Sequence, residues 1–345
     1  MKLVRYFQPI LAILAGLALG LIVTTFAGES PLHVLHVLAE GAFGSGYDFG
    51  MTLFYATPLV FTGLSVALGL QAGLFNVGAE GQMLMGAMAA AATGILLPNV
   101  PWPLAPLLAL LAAFLAGGVW GAIPGWLRAR RGSHEVINTI MLNFVAAGLT
   151  SWMTLYLFKN PDSQSPETRA IGNGYMLSHL SLFGDAPVSS ALFIAIGVVG
   201  LVWFFMKKTV LGYELQAVGT NENAARAGGI SPGKMRILAM TLAGGLAGLV
   251  ASSEILGSSY RFKMGFSPGF GFIGIAVALL GRGRPVGIFF AAILFGALHK
   301  GSLDLDLETE FVSQELSQIL QAFIILAVSA EGFWSWMLEK KGARS

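Results

Sequence analysis

The chain has 345 residues, of which 55% are hydrophobic and only 11% charged, and its net charge is +2. A soluble domain carries about 25% charged residues; here the apolar residues gather in long blocks, which reads as a polytopic, all-α membrane protein. Zero cysteines exclude disulfides, thiol catalysis and cysteine metal sites, and the small net charge argues against a nucleic-acid partner.

The five histidines are scattered, and His33 and His36, although at i,i+3, lack a third ligand nearby, so no metal site is expected. A hydrocarbon core of about 30 Å needs around 20 apolar residues per helix. Blocks of that kind predict about ten spans, near 8–27, 51–70, 74–97, 104–126, 137–158, 190–206, 236–257, 268–281, 286–299 and 315–335. The eighth and ninth are short and flank GRGRP. The first follows Met1-Lys2-Leu3-Val4-Arg5, which raises a signal-peptide reading; its apolar stretch is long for that, so an uncleaved span is favoured. Between the first two spans, LHVLHVLAEGAF suggests a short helix on the membrane surface.

Basic residues set the orientation. With the N-terminus inside, the inner loops hold Arg128, Arg130, Arg131, Lys207, Lys208, Arg226, Lys234, Arg236, Arg282 and Arg284. The termini add Lys2, Arg5, Lys340, Lys341 and Arg344, giving fifteen of the twenty basic residues. Lys159, Arg169, Arg261, Lys263 and Lys300 fall outside, with most of the acids. Both termini are therefore expected on the cytoplasmic side. Spans 2–5 and 7–10 form equal blocks offset by five, the arithmetic of an inverted-topology repeat. The chain reads as one transmembrane domain over 1–345. It has an external loop at 159–189, either a solvated connector or a docking face, and a long inner loop at 207–235.

Within that inner loop Gly228, Gly233 and Lys234 match the GxxxxGK spacing of a phosphate-binding loop. Met235 stands where the motif needs a hydroxyl for magnesium, and no strand precedes it, so ATP binding by this chain is not expected. The loop instead predicts a short helix. Asn221 is its N-cap, Glu222 lies in its first turn, Ala224, Ala225 and Arg226 continue it, and Gly228 and Gly229 stop it. Such a helix is either an ordinary connector or a lever pushed by a cytoplasmic motor.

Three stretches carry a family resemblance over nearly the whole chain. QAGLFNVGAEGQMLMGA at 71–87 looks like the signature segment of nucleoside permeases. HEVINTIMLNFVA at 134–146 resembles the segment after the next inner loop of the same group. GYELQAVGTNENAARAGGI at 212–230 looks like the loop that docks on an ATPase. The chain thus resembles the integral-membrane permeases of ABC importers, in the ribose, branched-chain amino-acid and nucleoside branch. The resemblance implies a bacterial plasma-membrane protein that is not itself an enzyme. It implies a cytoplasmic ABC ATPase subunit that binds the ATP, so that this chain needs no cofactor of its own. A second, different permease chain and an external solute-binding protein complete the set. It also implies coupling residues at Glu214, Asn221, Glu222, Ala224, Ala225, Arg226 and Gly228. The favoured solute is a nucleoside; sugar and branched-chain amino-acid permeases share the scaffold, and an ion-coupled secondary transporter is the rival from another class. A channel filter or hydrolase motif is not visible.

Polar residues in the apolar blocks mark the candidate pathway, since a mid-membrane carboxylate costs roughly 2.5–3.5 kcal/mol on insertion scales. Asn76 and Glu80, at i,i+4, are expected to share one helix face, with Gln82 pointing elsewhere. Asn76 and Glu80 suit ribose hydroxyls and base edges, and Phe75 suits base stacking. Glu80 has a second reading as a brace for backbone freed by Gly78 and Gly81, and bracing is slightly favoured. A second polar set, Glu135, Asn138, Thr139 and Asn143, either packs helices or lines the pathway. Glu254 is placed near the outer end, in reach of interfacial water. Trp334 and Trp336 are read as interfacial anchors.

Overall fold

The computed structural model describes residues 2–312 and 315–329. Trp334 and Trp336, the end of the tenth span and the basic tail at Lys340, Lys341 and Arg344 lie outside the described residues. The fold is helical throughout, and the described residues include no strand beyond isolated bridges. In chain order the helices are α1 Lys2–Phe26, α2 Pro31–Phe43, α3 Gly46–Gln71, α4 Ala79–Leu96, α5 Leu104–Arg131, α6 Glu135–Trp152 and α7 Ala191–Lys208. They continue as α8 Val210–Thr220, α9 Glu222–Ala227, α10 Pro232–Gly248, α11 Phe270–Leu280, α12 Pro285–Leu303, α13 Leu305–Glu308 and α14 Leu316–Ser329. Wide π-helical turns extend α6 (Met153–Leu157) and follow α10 (Ser252–Ser259).

Among the described residues six helices are long and apolar enough to cross a membrane, and three shorter apolar ones accompany them. Together with the 18-residue α4, whose first turn is polar, these match the ten expected segments. Boundaries move, however. Lys234 and Arg236, assigned to the inner loop, belong to α10, and Lys300, assigned to an outer loop, is buried at the end of α12. Its ammonium is held by Asp48 (3.1 Å) and Asp304 (2.9 Å), which makes burial of the charge tolerable.

Neighbour relations in the bundle support the repeat. The core of the fold is α3 and α10, packed on each other. α3 packs on α12 and α11, and α10 packs correspondingly on α5 and α4. The α5–α10 crossing runs antiparallel through Gly117, Gly121, Gly244 and Gly248, where a methyl group would strike the facing backbone. Only glycine permits that approach, so backbones replace side chains as the contact surface. The surface-helix reading of 28–50 is sharpened: α2 buries Val34, Val37, Leu38 and Ala42 against the bundle, chiefly on α12.

Residues 159–189 keep many residues exposed but are packed rather than extended. They fold into a cap with Tyr175 and Ile171 buried. Backbone bonds tie the cap to the chain beyond α10, with Thr168 and Ile171 N–H donating to the Phe262 and Tyr260 carbonyls (both 2.9 Å). Tyr175 Oη donates to the Leu97 carbonyl (2.9 Å). Glu167 and Arg261 form an ion pair at 2.6 Å across this junction. Burial pushes the Glu167 carboxyl up, but hydrogen bonds from Arg261, Asn160 and Ser163, with the Arg261 charge, win and hold it below its ordinary 4.5. The folded state thus binds the ionised form more strongly. The resulting stability is full above pH 4.5 and is lost as pH falls through the depressed value. Glu167→Gln should therefore flatten the acid limb of a thermal-unfolding profile while lowering Tm at neutral pH; an unchanged acid limb counts against this link.

Candidate functional site

The segment 71–82 departs from the helix expected there. α3 ends at Gln71, and Gly73 turns the chain at φ +72°, a left-handed value that glycine adopts without strain. Residues 72–78 then run as irregular backbone inside the bundle, and α4 begins at Ala79. Asn76 and Glu80 therefore do not share a helix face, because Asn76 precedes the helix. Gln82 does not point elsewhere. Its amide pairs reciprocally with that of Asn76: Asn76 Nδ2 donates to Gln82 Oε1 (2.8 Å), and Gln82 Nε2 donates to Asn76 Oδ1 (3.0 Å). The i,i+4 argument failed because it assumed helical rise through residues that are coil.

The remaining polar groups close the coil's backbone accounts. Asn76 Oδ1 accepts from Gly78 N–H (3.1 Å), and Asn76 Nδ2 also donates to Ser65 Oγ (3.1 Å). From α6, Asn143 Nδ2 donates to the Val77 carbonyl (3.0 Å) while its Oδ1 accepts from Gly81 N–H (2.9 Å). Asn76, Gln82 and Asn143 are all buried and spent on these bonds. Asn138 pairs instead with Ser133 near the start of α6 (2.8 Å). Glu135 faces Arg128 at 3.3 Å, and Thr139 bonds its own helix.

Glu80 stands apart. It lies in the first turn of α4, and its Oε2 accepts from Gly271 N–H (2.7 Å) in the first turn of α11. The Ser267 hydroxyl bonds the same carboxylate and itself accepts from Gly269 and Phe270 N–H. α11 has 11 residues, roughly 16 Å at about 1.5 Å per residue, or half a bilayer core. The N-termini of two interrupted helices thus meet deep in the bundle, one from each repeat block, and a carboxylate sits between their positive ends. Phe75 and Glu80 are both only partly buried, unlike Asn76, Gln82 and Asn143.

The basic end of the bundle carries a second structure. α8 and α9 form a helical hairpin rather than a single short helix, and Glu214 sits on α8, apart from the other coupling candidates. Asn221 caps α9 by accepting from Ala224 N–H (3.0 Å), and Gly228 ends it. Glu222 pairs with Arg226 (3.0 Å) and with Arg236 of α10 (2.6 Å). Ala225 is buried with Ala72, Leu215, Val218, Met235 and Ala239, whereas Ala224 is exposed. Gly219 on α8 rests against Gly73 and the Gln71 carbonyl, the start of the irregular segment.

Sequence signals missed two of these relations. Nothing local announces that Gly271 lies against Glu80, or that Glu254 is buried and not water-facing.

Comparison with known proteins places this arrangement. Residues 49–329 match the family model described as branched-chain amino acid transport system / permease component. Guanosine ABC transporter permease protein NupP of Bacillus subtilis is 36% identical over 357 residues, covering 99% of each chain. Glucose ABC transporter permease protein TsgB13 of Haloferax volcanii is 35% identical, covering 95% of this chain and 88% of that one. Nucleoside ABC transporter permease protein NupB of Lactococcus lactis subsp. cremoris is 34% identical, covering 98% and 94%. With both the matched span and the full-length relatives agreeing, the chain belongs to the family of branched-chain amino acid transport system / permease components.

Proposed function

We propose that this chain is the membrane-spanning permease of an ABC importer that moves nucleosides. The relatives named for guanosine and nucleosides, which span nearly its whole length, support that solute. The observation that carries the mechanism is the seat of the α8–α9 hairpin. It abuts residues 71–73, and those residues lead through the coil to Asn76, Gln82 and Glu80. A push on the hairpin therefore reaches the place where the two helix N-termini meet.

In this reading a separate cytoplasmic ATPase binds the ATP and presses on Ala224, Arg226 and the exposed face of α9. A second, different permease chain completes the pathway, and an external binding protein docks over the cap at 159–189. In this reading both termini lie in the cytoplasm, which rests on the bias of basic residues toward the expected inner loops. Phe75 and Glu80 face the solute path, while Asn76, Gln82, Asn138 and Asn143 hold its wall. A second reading, sugar transport, is favoured by the glucose permease relative. Guanosine and glucose binding to the cognate binding protein separates the two.

The test of coupling is Ala224→Glu. Because Ala224 is exposed, the fold should persist with Tm unchanged, while ATP-driven uptake in proteoliposomes falls at least about tenfold, the equivalent of 1.4 kcal/mol. Normal uptake with normal ATPase binding overturns the lever assignment. Uptake by this chain alone on an ion gradient overturns the importer reading.

A further inference from the structure

The carboxylate of Glu222 is shared by two arginines whose surroundings differ. Its Oε1 accepts from Arg226 (3.0 Å), four residues on in α9, and its Oε2 accepts from Arg236 (2.6 Å) in the second turn of α10. The Arg226 side chain is 67% exposed, and an exposed i,i+4 pair contributes little. The Arg236 side chain is only 18% exposed, and its bond joins two separate helices. A short charge-assisted bond shielded from water is the stronger kind. α9 has six residues, too few to be stable alone, so its position depends on what it is fastened to. Glu222 and Arg236 fasten it to α10, together with Ala225, which is buried in one apolar cluster with Met235 and Ala239.

From Arg236 inward, α10 lies backbone to backbone on α5. Gly125 faces the Arg236 carbonyl, Gly121 the Met240 carbonyl and Gly117 the Gly244 carbonyl, and Gly248 lies against Ala113 of α5 and Gly86 of α4. A methyl group at Gly86, Gly117, Gly121 or Gly248 would strike the facing backbone. Such contacts hold no flexible side chain that could absorb a shift, so a displacement at one end of α10 is passed along it. The seam reaches the site. Gly117 and Gly121 lie beside Gln82 of α4, whose amide pairs with Asn76.

We propose that Arg236 is a positioning residue of the transport cycle. Through Glu222 it fastens α9 to α10, so that a push on the hairpin moves α10 and, along the glycine seam, the Asn76–Gln82 wall. This is a second route beside the one through residues 71–73, and it rests on the importer reading above.

The experiment uses the assembled importer in proteoliposomes, with its ATPase and binding protein, and reads guanosine taken up per ATP hydrolysed. Arg236→Met keeps a long side chain and removes its charge; uptake per ATP should fall about fivefold. A merely structural bond would reduce the amount of assembled complex and leave the uptake per ATP of that complex unchanged. Arg236→Lys, which keeps a charge for Glu222, should recover most of the ratio. Glu222→Gln removes the charge from the other side and should give a similar fall. Combining it with Arg236→Met should add little, because both break one link. An unchanged ratio in Arg236→Met, a lysine no better than methionine, or a double variant whose losses multiply overturns the assignment. If Arg236→Met does not assemble, Glu222→Gln carries the test through the same ratio; failure of both to assemble assigns the pair to folding and overturns the proposal. A wild-type complex without ATP-driven guanosine uptake sinks the reading on which the proposal rests, whereas normal wild-type coupling with unaltered variants sinks only the role of Arg236.

Discussion

Replacing Glu80 with leucine should abolish uptake and lower the melting temperature of the complex, while glutamine should lose less of both. In the structure the Glu80 carboxylate accepts from Gly271 N–H at 2.7 Å and bonds the Ser267 hydroxyl. Leucine leaves a helix N-terminal N–H without its acceptor, and a hydrogen bond to a charged group is worth about 1.5–3 kcal/mol. It also removes the negative charge between two positive helix ends. Glutamine keeps one carbonyl oxygen for Gly271, but its NH2 group faces a Ser267 hydroxyl that already accepts two backbone N–H bonds. Thermal unfolding and uptake measured on the same preparations check this. Parallel losses fit a brace between α4 and α11. Loss of uptake at unchanged Tm would instead assign Glu80 to the solute.

A valine at Gly244 should be at least as damaging, for a different reason. Gly244 sits against the Gly117 carbonyl and Gly121 where α5 and α10 cross. A side chain there must push two backbones apart, and overpacking costs typically 1–3 kcal/mol and sometimes more. Since α10 also packs on α3 and α4, separating it from α5 disturbs the centre of the bundle. We expect a loss of about 3 kcal/mol, read as reduced Tm and reduced recovery of folded protein. Gly197 on α7 is the control, because a methyl group there meets open space; Gly197→Val should shift stability by less than about 0.5 kcal/mol. Equal effects at the two positions would mean that close backbone approach is not what holds α5 to α10.

How far the chain could be read without coordinates depended on the range of the interactions involved. Composition and the long apolar blocks determined an all-helical membrane protein, because every backbone group in lipid must be satisfied within a helix. Asn221, Glu222 and Gly228 determined a capped helix, since caps act over three or four residues. The stretch 71–82 was recognisably special from its amides and glycines alone. Its geometry was not, because the i,i+4 rule holds only where backbone is helical, and tertiary contacts kept 72–78 from being so. Gly73 turns against Gly219, and Asn143 supplies from 62 residues away the bond that α4 lacks at Gly81. The partner of Glu80 lies 191 residues on, and Glu254 is buried in a wide turn that packs against α3, α4 and α7. Local chemistry therefore determined which residues were costly to bury, and tertiary structure alone decided what satisfied them, since a hydrogen bond between distant segments leaves no spacing in the sequence to read.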